Sequence, residues 1–503
     1  METTPLLAEA EAGRCDIIRG DSNGNTGFDL NGSLDNPLEW PASFKWGIVG
    51  LLAFASFTTT FSCMSVAPVA NRIVNDLGGS NDRKSPAVLL VTIWELGEAA
   101  GPILIAPLSE MYGRWPVFNV ANMLLLIATV LGCLSKNTAV FMASRALMGM
   151  TVAANVLNPA VVGDLFAPEQ RGTAMSFIML APLIASSVGP AFSSAITENL
   201  GWRAVLWIGF ALAALCELAF LTCFRETYKV SILRRKVTRL RRETSDTSSI
   251  RSFRKDTNLE KGSKGLWTCI MRPAVVFIGS GVLAALSLFG SVIFSYIYIV
   301  PVTLPTILEE VYLFSPAKIG SVFLANGLGT LIGVIICKFN LDRIYTKLSA
   351  ANKGVGLPEY RLPLSIIGVF TLPPAVALYG WCAEFQLPLA LFILSVVWIR
   401  VSMTLALLPL MPYVVDACGL YSASALTGVV VTRCLAGAFL PLATAVMIER
   451  LGYGWGFTML AMLTMTVGLI PIVRNLSKTS TSDLGAKNGG TKQCFVRALR
   501  HTL

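Results

Sequence analysis

The sequence predicts an all-α polytopic membrane protein, with twelve transmembrane helices in two six-helix bundles. The 503-residue chain is 54% hydrophobic and only 14% charged, and its mean hydropathy is +0.64. A soluble core of this size would need a larger polar surface to cover it. Unbroken apolar stretches such as 117–134 and 204–224 reach the roughly 18 residues typical of a spanning helix, whereas barrel strands alternate over about ten. In lipid only helices or closed barrels satisfy the backbone, so helices are favoured.

The apolar segments fall into two sets of six. They lie at roughly 46–66, 87–107, 116–134, 138–160, 172–196 and 204–224, and then at roughly 273–301, 317–337, 362–382, 387–411, 421–447 and 455–474. The stretch between the two sets is too rich in Arg and Lys to enter a bilayer. We therefore predict a disordered cytoplasmic tail (1–45), a first bundle (46–225), a basic cytoplasmic loop (226–272), a second bundle (273–475) and a cytoplasmic tail (476–503).

The charge distribution predicts an orientation and excludes several classes of function. With both termini in the cytoplasm, about thirty of the 40 basic residues lie on that side, and roughly six lie in the outer loops. The net charge of +10 then follows from topology, so no nucleic-acid partner is expected. The 11 cysteines are scattered singly and the only histidine is His501, so no metal site is expected. We find no phosphate-binding loop pattern and no sign of covalent chemistry, so we do not expect an enzyme.

The second segment carries two acids within a hydrophobic run. Glu95 and Glu98 lie nearly one helical turn apart, so both can face one cavity. Two such acids repel when both are ionised, and one of them then favours the protonated form and can load and release a proton. We predict Glu98 first and Glu95 second as proton sites, the alternative being that Glu95 is solvated near the outer interface. The fourth segment carries Arg145, a charge that needs a partner or a wet cavity, and these two acids are candidates.

The connection between the second and third segments predicts a conformational latch. Gly113 permits a turn that bulkier residues resist, while Glu110 and Arg114 can pair with each other or with helix ends of the opposing bundle. A weaker version, Asp342 and Arg343, follows the eighth segment, as expected if the two halves are repeats. The alternative interpretation is an ordinary solvated turn.

Two further groups of residues are candidates for a role in the passage. In the fifth segment, Ala185, Gly189 and Ser193 are small enough for helices to approach closely, and Pro190 bends the helix and frees a carbonyl. Aromatic side chains in the second and seventh segments are candidates to line a substrate pocket, with packing or lipid contact as the alternative. These aromatic residues are Trp94, Phe289, Tyr296 and Tyr298.

Several of these features resemble the major facilitator transporters, whose two halves rock about a central site. The latch turn resembles the family signature G-x-L-a-D-r-x-G-r-k, although several positions differ and leave fewer charge contacts. The run from Ala185 to Ser194 resembles the antiporter motif G-x-x-x-G-P-x-x-G-G. Strings at 36–41, 225–228 and 358–363 resemble the fungal branch of the twelve-helix drug:proton antiporters. The positions that depart from the latch signature are Pro107, Glu110, Met111 and Trp115.

The resemblance implies a function. It implies an alternating-access antiporter that exports small amphipathic or apolar compounds, such as drugs, fungicides, toxins or endogenous secondary metabolites. The proton gradient would be the only energy source, with no cofactor, and Arg145 would take part in proton coupling, a structural salt bridge being the alternative. It also implies a monomer in the plasma membrane or, alternatively, the vacuolar membrane. Two other functions stay open, namely a proton-coupled importer of a nutrient or polyamine, and a membrane sensor or receptor without transport.

Overall fold

A computed structural model describes nine parts of the chain. These are residues 36–78, 85–152, 154–166, 168–229, 231–232, 281–351, 358–410 with 413, and 422–484. Most of the two predicted tails and of the predicted basic loop lies outside the described residues. The side chains of Glu110 and Asp342, two members of the predicted latch, also lie outside them. Within these ranges the regular structure is helical, as the sequence predicts.

The described residues of the first half form eight α-helices. They are α1 (Ala42–Met64), α2 (Ala70–Asp76), α3 (Ser85–Tyr112), α4 (Arg114–Cys133), α5 (Thr138–Met150), α6 (Ala154–Leu165), α7 (Pro168–Leu200) and α8 (Trp202–Cys223). The short helix α2 follows α1 on the outer side. Helices α5 and α6 are separated by three residues and together make the fourth crossing. Gly113 and Gly201, with positive φ angles of 101° and 77°, are the single residues that join α3 to α4 and α7 to α8.

In the described part of the second half there are five α-helices, the last of which is bent. They are α9 (Gly281–Glu310), α10 (Pro316–Ala351), α11 (Pro363–Glu384), α12 (Leu389–Leu407) and α13 (Ser422–Leu484). Helix α13 is interrupted at Gly452, whose φ of 78° and ψ of 175° are not helical. It therefore contains two crossings, one on each side of this glycine.

The helices account for twelve crossings. Within the described residues, 10 helices are long and apolar enough to span a bilayer. The divided crossing α5–α6 is not among these 10, and α13 is counted once although it crosses twice. Adding both gives the predicted number of six in each half. Large apolar side chains such as Leu131, Leu215 and Leu218 are exposed, as expected for helices that face hydrocarbon.

The most extensive contacts between the halves are those of α7 with α10 and of α3 with α13. Small residues bring α7 and α10 together, since a methyl group added at Gly320 would lie 2.8 Å from the carbonyl oxygen of Ala191. At the outer ends of the helices, Asn71 Nδ2 donates to Thr306 Oγ1 at 3.4 Å, which is a contact between the halves. The two halves therefore also touch at these helix ends.

Candidate functional site

A buried carboxylate of the first half is bonded to the second half. Glu95 on α3 is fully buried, and Tyr298 on α9 donates its phenolic hydrogen to Glu95 Oε1. Gly437 on α13 leaves space for this side chain, since a Cβ added there would lie 3.2 Å from Glu95 Oε2. Glu95 therefore lies in the interface between the bundles, away from lipid and from the outer loops.

The second acid forms an ion pair across the same interface. Arg433 Nη2 on α13 lies 3.9 Å from Glu98 Oε1, and Trp94 Nε1 donates to Glu98 Oε2 at 3.2 Å. The Arg433 guanidinium also lies 4.7 Å from the centroid of the Phe294 ring on α9. A charge that loses water on entering such a site needs compensation of this kind. The charge state of Glu98 is therefore coupled to the contact between the two halves.

Arg145 uses backbone acceptors at the end of a neighbouring helix. Its side chain is fully buried, and its two terminal nitrogens donate to the carbonyl oxygens of Ser62 at 2.8 Å and Cys63 at 2.9 Å. These carbonyls belong to the last turn of α1, where helical partners run out and the helix dipole is negative. The guanidinium also lies 4.6 Å from the centroid of the Trp94 ring. Arg145 thus links α5 to α1 and α3, through acceptors that the sequence did not indicate.

Two thiols adjoin the acids. Donor atoms of Glu95, Glu98 and Cys434 all lie within 4.8 Å of one another, so these are the groups that could hold a metal ion. The neighbouring guanidinium of Arg433 opposes a cation at that place. On the other side of the cluster, Cys63 Sγ lies 3.7 Å from Tyr298 Oη. The chemistry available here is the gain and loss of protons.

Two of the four predicted pocket aromatics lie elsewhere. Trp94 and Tyr298 contact the acids, but Phe289 and Tyr296 are buried in the apolar core of the second half. The Tyr296 hydroxyl contacts Thr464 Oγ1 at 2.7 Å within that half. The role of these two in a substrate pocket stays a prediction. They lie seven residues apart on one face of α9, and Tyr298 lies on a different face.

The antiporter-like segment packs against both halves. Ala185 and Ser193 are fully buried, and Ser193 Oγ donates to the carbonyl of Pro190 at 3.0 Å. A Cβ added at Gly189 would lie 3.5 Å from the ring of Phe61 on α1. The opposite side of the same helix faces α10 of the second half. Its small residues thus allow close contact at the interface between the bundles.

The latch residues form contacts within the first half. Beyond Gly113, the backbone amides of Arg114 and Trp115 donate to the carboxylate of Glu226 at 2.8 and 3.3 Å. Arg114 Nε lies 3.4 Å from Asp164 Oδ2 at the end of α6. The expected contacts of Arg114 with the opposing bundle are therefore replaced by partners in its own half. On the second-half side, Arg343 is exposed.

The predicted proton-coupling residues did not include Arg433, Cys434 or Phe294. Arg433 carried a visible signal, because it is a charge within the apolar segment 421–447. Its partner Glu98 lies in the other half of the chain, however, and no local pattern links the two. The structure adds these three residues to the predicted set of Glu95, Glu98 and Arg145.

Comparisons with known proteins agree with this architecture. The sequence model of the Major Facilitator Superfamily matches residues 52–440. The chain is 34% identical to "Efflux pump radE" of Floropilus chiversii over 439 residues, which cover 87% of this chain and 80% of that protein. It is 32% identical to "MFS transporter cpaT" of Aspergillus oryzae, with 93% of each chain covered.

A solved structure shows the same fold. The crystal structure of a D-xylose-proton symporter superposes with a TM-score of 0.66 at 15% identity, and it covers 85% of this chain and 97% of that chain. At this low identity the likeness concerns the arrangement of the helices alone.

Proposed function

The chain belongs to the Major Facilitator Superfamily, and from this premise we propose that it exports small amphipathic or apolar compounds in exchange for protons. The relative from Floropilus chiversii is named an efflux pump, which supports export as the direction. Drugs, toxins and endogenous secondary metabolites are the proposed cargo. We place this multi-pass protein in the plasma membrane and expect it to work as a monomer.

One observation carries the proposal of proton coupling. Two buried acids of the first half are held by donors of the second half, Glu95 by Tyr298 and Glu98 by Arg433. Protonation of Glu98 removes its attraction for the Arg433 cation, so proton binding weakens a contact between α3 and α13. Loss of the proton restores that contact. Such linkage lets a proton bias the two halves between their alternative arrangements.

The proton gradient is large enough for this task. One charge crossing 100 mV releases about 2.3 kcal/mol, and one pH unit adds about 1.4 kcal/mol. For one neutral molecule exchanged per proton, the sum of about 3.7 kcal/mol supports a concentration ratio of about 500. No nucleotide is needed at these magnitudes.

The decisive experiment measures gradient-driven transport by the purified protein. Proteoliposomes are loaded with a panel of amphipathic compounds, and a pH gradient is imposed on wild type and on Glu98→Gln. We expect wild type to move compounds against their gradient, opposite to the proton flow. Glu98→Gln should lose this accumulation yet retain downhill exchange, because it keeps the passage but cannot release a proton.

A matched control is Glu309→Gln, which neutralises an exposed acid at the outer end of α9 and should transport like wild type. Equal gradient dependence of Glu98→Gln and wild type would contradict the proposed coupling. Movement of cargo in the same direction as protons would show an importer instead. Absence of any transport by the wild type would favour the sensor class.

A further inference from the structure

A second buried arginine lies on α12 without an acidic partner. Arg400 is 4% exposed, and its Nε donates to Asn326 Oδ1 on α10. Its Nη1 contacts the sulfur of Met403 at 3.9 Å, although a thioether is a weak acceptor. Among the residues that the structure describes, no carboxylate contacts Arg400. The guanidinium has five N–H donors, and much of its hydrogen-bonding capacity is therefore unused.

Two nearby neutral polar side chains have hydrogen-bonding groups without a partner. Asn326 Nδ2 is buried without a hydrogen-bond partner, and so is Ser187 Oγ on α7. Ser187 contacts the position that a Cβ of Gly327 would occupy, and Gly327 is next to Asn326 in the chain. Arg400 and Asn326 thus form a polar cluster between α10 and α12 of the second half, one residue of α10 away from the contact with Ser187 on α7 of the first half. We call it the Arg400 cluster.

The cluster faces the boundary between the halves. On α10, Gly320 and Gly327 contact α7, whereas Gly329 and Gly333 contact α12. With 3.6 residues per turn, Asn326 falls between these two faces. Arg400 lies eleven residues beyond Leu389, about 16 Å along α12, which is near the middle of a hydrocarbon layer of about 30 Å.

Among the described residues between the halves, the basic groups outnumber the acids. Glu95 and Glu98, when both are ionised, equal Arg145 and Arg433 in charge, so within the described residues Arg400 has no acidic counterpart in this group. A cation at membrane depth is retained where it lines a wet path or meets a ligand. A guanidinium also offers parallel donors that fit planar carboxylates.

We propose that the Arg400 cluster binds the anionic group of the cargo, so that the exported compounds include amphipathic weak acids. This inference rests on the proposed export function and names a substrate class for it. It also has an electrical consequence. Exporting an anion while a proton enters moves two charges per cycle in the direction favoured by an inside-negative potential, whereas exporting a neutral compound moves one.

The test compares two probes that differ in charge and little else, 2-naphthoate and 2-naphthamide. Binding to the full-length protein in nanodiscs is measured by equilibrium dialysis, at a pH where naphthoate is ionised. We expect wild type to bind naphthoate about tenfold more tightly than naphthamide. Arg400→Gln should remove this preference while leaving naphthamide binding within about twofold.

A second variant keeps the test valid if Arg400→Gln does not fold. Asn326→Asp places a carboxylate against Arg400, so the cation is neutralised inside the protein and the buried pair is kept. The preference for naphthoate should again disappear. The inference is overturned if wild type shows no preference for naphthoate, or if the folded variants retain the preference.

This assay is independent of proton coupling, because binding requires no gradient. Glu98→Gln, which should abolish gradient-driven transport, should keep the preference for naphthoate. A wild type that prefers naphthoate but shows no gradient-driven transport contradicts the proposed coupling, whereas one that shows gradient-driven transport without the preference contradicts this inference.

Discussion

Two buried arginines, one in each half, occupy the fourth crossing of their bundle and meet different surroundings. Arg145 directs both terminal nitrogens at backbone carbonyls of α1 and lies over an indole ring. Arg400 has one amide oxygen and one thioether. The comparison shows that a repeated position has acquired two uses. The first arginine is bonded within the protein, and the second retains donors for a ligand.

The helices that carry these arginines are docked in the same way. In the first half, a methyl group at Gly97 on α3 would collide with the backbone of Ala146 on α5. In the second half, one at Gly333 on α10 would lie 2.7 Å from Cβ of Thr404 on α12. Each half thus uses glycines on its second crossing to bring the fourth crossing close. The difference between the arginines therefore comes from their partners and not from the packing of their helices.

The largest effect should follow from Arg145→Gln, which tests whether the first arginine is structural for the whole passage. The change leaves carbonyls of Ser62 and Cys63 short of donors, and an unsatisfied buried group costs about 1–3 kcal/mol. We expect transport of acidic and neutral compounds to be lost together, with a lower unfolding temperature in detergent. Arg203→Gln, at an exposed arginine of the same half, is the control. If Arg145→Gln lost transport of acidic compounds alone, Arg145 would behave as we propose for Arg400, and the distinction between the two arginines would be contradicted.

A smaller effect is expected from adding one methyl group at the docking glycines. In Gly97→Ala the added methyl group collides with helix backbone, which cannot shift without the rest of its helix. In Gly333→Ala it collides with a side chain, which can adjust, so Gly97→Ala should destabilise the protein more. Overpacking costs about 1–3 kcal/mol, and we place Gly97→Ala at the upper end. Thermal unfolding followed by size-exclusion chromatography measures both variants. Gly47→Ala, with no atom within 4 Å of the added carbon, is the control, and equal losses at Gly97 and Gly333 would contradict the prediction.

The smallest effect should come from Tyr298→Phe, which removes the donor to Glu95 and keeps the ring. A typical hydrogen bond contributes about 0.5–1.5 kcal/mol net, so transport should slow severalfold for every cargo, charged or neutral. Tyr312→Phe, which removes a bond to the carbonyl of Leu387 at 2.8 Å, is the control in the outer loop. Unchanged transport rates in Tyr298→Phe would show that this contact between the halves is dispensable.

The sequence predicted best those features whose energetic cause lies within a single segment of the chain. Apolar runs predicted the twelve crossings, because each helix must satisfy its own backbone in lipid. The cost of ionisable groups in hydrocarbon singled out Glu95, Glu98 and Arg145. The two acids contact the second half, whereas Arg145 is buried and bonded within the first. The residues that these charged groups contact were harder to predict. Arg433 approaches Glu98 only after the halves assemble, and no spacing in the chain encodes that approach.

The latch illustrates the same limit. A turn at Gly113 was predicted from the residue type, and its φ of 101° confirms that a glycine is required there. The group that binds the following amides is Glu226, from the string 225–228 that the sequence marked only as a resemblance. Its role as the acceptor at the start of α4 depends on α8 returning to the same membrane face, which is a tertiary property.

The turns of a single glycine determine which parts of the molecule can move separately. Gly113, Gly201 and Gly452 each reverse the chain with one residue outside helical geometry. At Gly452, the carboxylate of Glu384 accepts hydrogen bonds from the backbone amides of Tyr453 and Gly454 at 2.9 and 3.2 Å. Two helices joined by a single residue cannot slide past each other, so each such hairpin moves as one rigid unit.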